Sequence, residues 1–166
     1  MKANAATPRR YEAGEAWLAN CSAHPDLARK AWSEETLAPI ASGTHWLVAE
    51  SHLRHALPAA VRIGNERRGP VLAHPEGDRA WWLVPPGTEE QLSGVRWMTV
   101  KPSGWTLLCP PTGRQVDGHF WLWRPDGSGH LTDPAVLAAA YGPVALSSSS
   151  DVACRWVWEA PCSTDG

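Results

Sequence analysis

The spacing of apolar residues divides the chain into a helical first third and a strand-rich remainder. Trp17 and Leu18 mark the apolar side of a helix predicted from Tyr11 to Asn20. Behind His24-Pro25, the residues Leu27, Ala28, Ala31 and Trp32 recur at helical spacing. Proline suits the first position of that second helix, and Asp26 suits the positive end of its dipole. Pro39 closes the region. The run His45-Trp46-Leu47-Val48-Ala49 reads as a buried strand, and Ser51 to Ile63 as a helix interrupted or restarted at Pro58. Beyond a polar turn at Gly64–Pro70 the pattern becomes strand-like. Pro70–His74, Ala80–Val84, Trp105–Cys109 and His119–Arg124 are short apolar segments bounded by glycine and proline turns. Val95–Val100 alternates, which puts Val95, Trp97 and Thr99 on one face and Arg96, Met98 and Val100 on the other. Thr132 or Asp133 can cap a helix that Pro134 opens and that runs to about Tyr141.

This order predicts an α+β (α/β) fold in a single domain, a mixed or antiparallel sheet of about five to seven strands with helices packed on one side. Residues 1–10 read as a flexible tail and residues 11–144 as the domain. Residues 145–166 read as a Ser-rich linker (Ser147–Ser150) followed by a C-terminal strand or tail, with Cys154, Trp156 and Trp158 sharing a face.

At 166 residues the chain is long enough to bury roughly 70% of its unfolded surface, so a core needs neither metal nor disulfide. Lys+Arg 15 against Asp+Glu 17 leaves a net charge of −2, which argues against a general polyanion binder and leaves room for a local basic groove. No apolar run is long enough to span a membrane, and the first ten residues carry no apolar signal core, so a cytoplasmic protein is expected. Cys21, Cys109, Cys154 and Cys162 form no CxxC pair and read as free thiols. Eleven tryptophans against one phenylalanine is the composition's oddest feature.

Three constellations carry candidate chemistry. Glu50, His52 and His55 lie close in sequence, and the two histidines, three apart, share a helix face. Imidazole and carboxylate could hold a divalent metal there, against the plainer reading of exposed polar positions. The cysteines with His119 or His130 lack the paired spacing of a zinc site, and nothing marks Cys109 with His119 as an activated thiolate. The third is a basic band of Arg62, Arg67, Arg68, Arg79, Arg96, Lys101, Arg114 and Arg124. It is interleaved with Trp81, Trp82, Trp97, Trp105, Trp121 and Trp123. Cations and aromatic rings on one sheet face make a stacking platform for single-stranded nucleic acid. The alternative is burial of the rings and solvation of the arginines. Because neighbours on a strand face opposite ways, one of Trp81 and Trp82 must leave the main core face. It is then either covered or exposed as a docking patch.

The segment from Gly69 through Trp81-Trp82 to Gly87 resembles part of the primase–polymerase family, the bifunctional DNA primase/polymerase N-terminal domains. So do Gly94-Val95-Arg96, the block Gly104–Gly113 and Phe120–Gly127, and Leu131-Thr132-Asp133-Pro134 resembles the helix opening that ends short actinobacterial members. The likeness covers roughly residues 40 to 142 and implies a reduced version of that fold. The family needs a carboxylate pair on a strand to hold two divalent ions, a histidine on a following strand and a further carboxylate downstream. Here Val48 stands in the first carboxylate's place and Glu50 in the second's. Arg79 or Ala80 takes the histidine's place, and Arg96 falls near the third carboxylate. The resemblance therefore implies a pseudoenzyme without the family's catalytic residues or a resident cofactor, acting as a nucleic-acid-associated or replication-accessory module. Its expected binding residues are Arg79, Arg96, Lys101, Arg124, Trp82 and Trp105. The competing expectations are a protein-interaction or regulatory module that docks a partner or second copy through surface tryptophans, and a small metal-dependent enzyme centred on Glu50, His52 and His55.

Overall fold

A computed structural model describes residues 6–142. The predicted Ser-rich linker and last strand, with Cys154, Cys162, Trp156 and Trp158, lie outside the described residues. Helix α1 (Ala6–Asn20) starts inside the segment expected to be a loose tail. Helix α2 (Pro25–Ser33) opens on proline as expected. Strand β1 (Ala38–Ala41) includes Pro39, so this residue lies within an element instead of ending one. Strand β2 (Leu47–Ser51) leads through His52 into α3 (Leu53–Ile63), which contains Pro58. Strands β3 (Val71–His74) and β4 (Arg79–Val84) flank the turn at Gly77-Asp78. A one-turn helix α4 (Glu89–Leu92) precedes β5 (Met98–Val100), and β6 (Thr106–Cys109), β7 (Phe120–Trp123) and α5 (Pro134–Tyr141) complete the order. Asp133 caps α5, its Oδ1 accepting the Ala135 and Val136 N–H groups. The Thr132 hydroxyl is used elsewhere, accepting the Gly69 N–H at 2.9 Å. A Cβ on Gly69 would come within 2.5 Å of the Thr132 nitrogen, so this crossing of two backbones requires glycine.

The main sheet has five strands in the order β5-β2-β4-β3-β7, and every neighbouring pair is antiparallel. Strands β1 and β6 form a separate antiparallel ribbon. The expected single helical layer is incorrect, because both faces of the main sheet are covered. On one face Val48, Leu72, Trp81, Leu83 and Trp121 pack against α1, α2 and the ribbon. Leu18, Ala28, Trp32, Ile40 and Leu107 lie in that core. On the other, Leu47, Ala49, Val71, Ala80, Trp82 and Val84 pack against Ala56, Ala59, Ala60 and Ile63 of α3, Leu92 of α4 and Leu137 of α5. The alternation of a strand thus feeds two cores, and both members of Trp81-Trp82 are buried. Four buried indole N–H groups find acceptors, while that of the fully buried Trp46 has none among the described residues. Trp32 donates to the Cys109 carbonyl (2.9 Å), Trp121 to the Pro110 carbonyl (3.0 Å), Trp82 to the Tyr141 hydroxyl (3.0 Å) and Trp81 to the Glu50 carboxylate (2.8 Å). A tryptophan-rich core is affordable on those terms, since an unpaired buried N–H costs about 1–3 kcal/mol.

Cys21 and Cys109 are free thiols, both buried. Burial pushes the Cys109 thiol well above its usual range, and Cys21 nearby pushes it the same way. Cys109 is therefore a core residue and not a nucleophile, and it is fully enclosed while His119 stacks on His74 and Trp81.

Candidate functional site

The basic band divides according to what its members touch. Arg62 donates to the Ala140 carbonyl in the last turn of α5, Arg68 to the Ala60 carbonyl in the last turn of α3, and Arg114 to the Trp32 carbonyl in the last turn of α2. These arginines sit at the negative ends of helix dipoles, where the Ala60 and Trp32 carbonyls also accept the Gly64 and Glu35 backbone N–H groups. Arg68 also covers the Trp123 ring, 3.8 Å from its centroid. Arg124 sits over Tyr11 at 4.6 Å, past the end of β7 that pairs with Val71. That is the opposite end of the sheet from Arg79, which pairs with His74. Arg124 is thus apart from the other expected contact residues.

Of the expected contact cations Arg79, Lys101 and Arg96 remain. Arg79 and Arg96 lie toward the sheet end where β2 stops and β4 begins, and Lys101, whose backbone N–H donates to the Val48 carbonyl, reaches Glu50 with its side chain. Register explains Arg79 and Lys101. Glu50 pairs with Trp81 across β2–β4 and with Thr99 across β2–β5, so its side chain shares a face with Trp81, with Arg79 two residues before it, and with Lys101 two residues beyond Thr99. Arg79 Nη1 lies 3.0 Å and Lys101 Nζ 3.2 Å from Glu50 Oε1, while Trp81 Nε1 donates to Oε2. Lys101 also lies 5.3 Å from the centre of the half-buried Trp105 ring. Trp82, expected to present a stacking face, cannot do so. It is fully buried, pointing into the α3/α5 core from the opposite side of the sheet.

The other feature of this end is Trp97. It is 53% exposed and its φ is 69°, a left-handed backbone that a bulky residue rarely adopts. That conformation breaks the alternation expected over Val95–Val100, and only Met98–Val100 pairs with β2. Trp97 stacks on His55 (5.1 Å between centroids, 12° between planes), and the Arg96 guanidinium sits 4.9 Å from its centre. A cleft of about 220 Å³ is bordered by Glu50, Arg79, Trp97 and Thr99. A larger hollow of about 540 Å³, bordered by Arg96, Ala138 and Tyr141, also reaches Trp97.

Glu50, His52 and His55 do not turn toward one point. The Glu50 carboxylate is held by Arg79, Lys101 and Trp81. His52 Nδ1 lies 3.2 Å from Asp78 Oδ2, and His55 stacks on Trp97. Among the described residues no three His, Cys, Asp or Glu side chains gather as a metal-ligand set. Asp78 caps the start of α3 from outside. The Arg54 backbone N–H holds its carboxyl below the usual range, and the Arg54 and His52 charges act the same way.

Sequence reasoning missed the column of rings beside Glu50. His119 stacks on His74 (4.5 Å) and on Trp81 (5.7 Å, 9° between planes), with Nδ1 3.0 Å from the Asp117 carbonyl. The signal was present in the alternation, for His119 lies two residues before Trp121 and His74 two after Leu72, both facing the Trp81 side. Burial lowers the pKa of His119, and the neighbouring His74 adds to this, against the Asp117 carbonyl. A histidine whose folded pKa lies below its unfolded value resists protonation while folded. Stability therefore falls as pH drops through and below about 6.5, the unfolded value. His119→Gln is expected to reduce the loss of melting temperature between about pH 7.5 and about pH 5.5. Equal losses in the two proteins would clear His119 of this effect.

Comparison with protein-family models, curated proteins and solved structures yields no match to this chain.

Proposed function

We propose that this chain is a catalytically silent, primase–polymerase-like module that binds single-stranded nucleic acid at the sheet end marked by Trp97. The observation carrying the reading is Trp97 itself. An exposed indole on a left-handed backbone stores strain of about 1–3 kcal/mol, and such strain persists where surrounding structure holds a residue for use. A base stacks on an indole face, and cations beside the ring serve the phosphates that flank the base. Arg96 and Arg79 supply those cations. The silent part of the reading draws on the strand expected to carry a carboxylate pair: Val48 is core, and Glu50 is engaged by two cations and an indole N–H. A second reading, docking of a protein partner, draws on Leu57 and Val61, exposed one turn apart on α3. Nucleic acid is preferred because Trp97 combines ring and cation, which a stacked nucleotide needs and an apolar patch does not provide.

Fluorescence anisotropy with labelled oligothymidylate tests this. One to two neutralised phosphates give a slope of log affinity on log salt of about −0.7 to −1.4. Arg96→Ala is expected to weaken binding, and no binding at low salt would remove the proposal.

A further inference from the structure

Three donors close on one carboxylate at the end of the sheet, and their balance is unequal. Arg79 and Lys101 are two cations sharing the single anion of Glu50, with the Trp81 N–H on its second oxygen. The carboxylate is 15% exposed and the lysine 22%, whereas nearly half of the Arg79 side chain reaches solvent beside the cleft that Trp97 borders. Arg79 makes no other side-chain hydrogen bond among the described residues. A phosphodiester offers a guanidinium the same pair of oxygens that a carboxylate does. Glu50 and a strand's phosphate are therefore alternatives for Arg79. Should Arg79 turn to a phosphate, Lys101 and the Trp81 N–H still hold Glu50, so no buried carboxylate is left unpaired. A lone Arg–Glu pair would not permit that exchange at such low cost.

Resting on the nucleic-acid reading above, we infer that Glu50 is a built-in competitor for phosphate, occupying Arg79 in the free protein and yielding it to the backbone of a bound strand. Glu50 thereby sets the affinity of the site, and binding at Arg79 displaces a carboxylate instead of a mobile counterion.

Two variants test this with a labelled oligothymidylate of about twelve nucleotides, each first checked for cooperative melting. Glu50→Gln removes the competing charge and is expected to bind about tenfold more tightly, the size left to a nearby like charge after salt screening. Arg79→Gln is expected to weaken binding while changing the salt slope by clearly less than the ~0.7 contributed by a phosphate that releases mobile ions. Unchanged or weaker binding by folded Glu50→Gln overturns the inference, as does a full ~0.7 change of slope in Arg79→Gln. The slope measurement stands even where Glu50→Gln fails to fold. Binding by the unmodified chain without a gain in Glu50→Gln overturns the competitor alone. Failure of the unmodified chain and Glu50→Gln alike to bind at low salt overturns the nucleic-acid reading with it.

Discussion

Trp82→Ala is expected to cost about 3–5 kcal/mol of folding stability. Trp82 has no exposed surface and lies between β2 and β3 in the five-stranded sheet, paired with Ala49 on one side and Val71 on the other. Its ring packs edge-on against Tyr141, 6.2 Å between centroids and 80° between planes. Its N–H donates to the Tyr141 hydroxyl, which also hydrogen-bonds Ser51 at 2.6 Å. Truncation leaves a cavity under α3 and α5 and removes one of that hydroxyl's partners. The core on this face includes Ala49, Ala56, Ala59, Ala60 and Ala80, whose short side chains cannot lean into the gap. The void therefore persists, and the cost falls toward the upper end of the range. For a domain of this size the loss lowers the melting temperature by about 6–20 °C. Thermal unfolding followed by circular dichroism measures it. Trp82→Phe, which keeps an aromatic ring and gives up the N–H, separates packing from hydrogen bonding. A loss below about 1 kcal/mol in Trp82→Ala would mean that the face beneath α3 and α5 is not a core.

Much of the fold was legible because local chemistry dictates it. Strands β3, β4, β6 and β7 are apolar runs between glycine and proline turns, and α2 and α5 open on prolines where a missing N–H is harmless. Strand β1 was not legible. Pro39 reads as a breaker, and only its place in a two-stranded ribbon, where a ladder N–H can be spared, lets it sit in a strand. The single turn of α4 is too short for periodicity to reveal. The doubling of the core was half legible. Adjacent Trp81 and Trp82 require that the second face be covered or exposed, but the choice depends on α3 and α5 returning to it. The site divides the same way. That Arg79 and Trp81 share a face follows from alternation, yet their meeting with Glu50 and Lys101 depends on register between strands distant in sequence. The arginines of the basic band looked equivalent because their partners, helix ends 8 to 82 residues away, are invisible in composition.

Trp97→Gly is expected to reverse the pattern of Trp82→Ala, losing ligand affinity while keeping the fold. At φ 69° an indole is held against its backbone preference, and glycine adopts that conformation freely. Relief of strain returns about 1–3 kcal/mol. Against this stand the greater freedom of glycine in the unfolded chain, about 0.4–1 kcal/mol, and the lost stacking with His55 and Arg96, about 0.5–1.5 kcal/mol. These contributions nearly cancel, so the melting temperature should stay within about 4 °C of the unmodified protein. Binding has no such compensation. One stacked base is worth about 1–3 kcal/mol, and its loss weakens oligothymidylate binding roughly fivefold to a hundredfold. The salt slope should hardly move, because no cation is removed. Trp97→Phe, which retains a smaller stacking face, should recover part of the affinity. Unchanged affinity in Trp97→Gly would mean that strain at this position serves the turn into β5 and not a ligand. A fall in melting temperature as large as that of Trp82→Ala would place the indole among the supports of the fold.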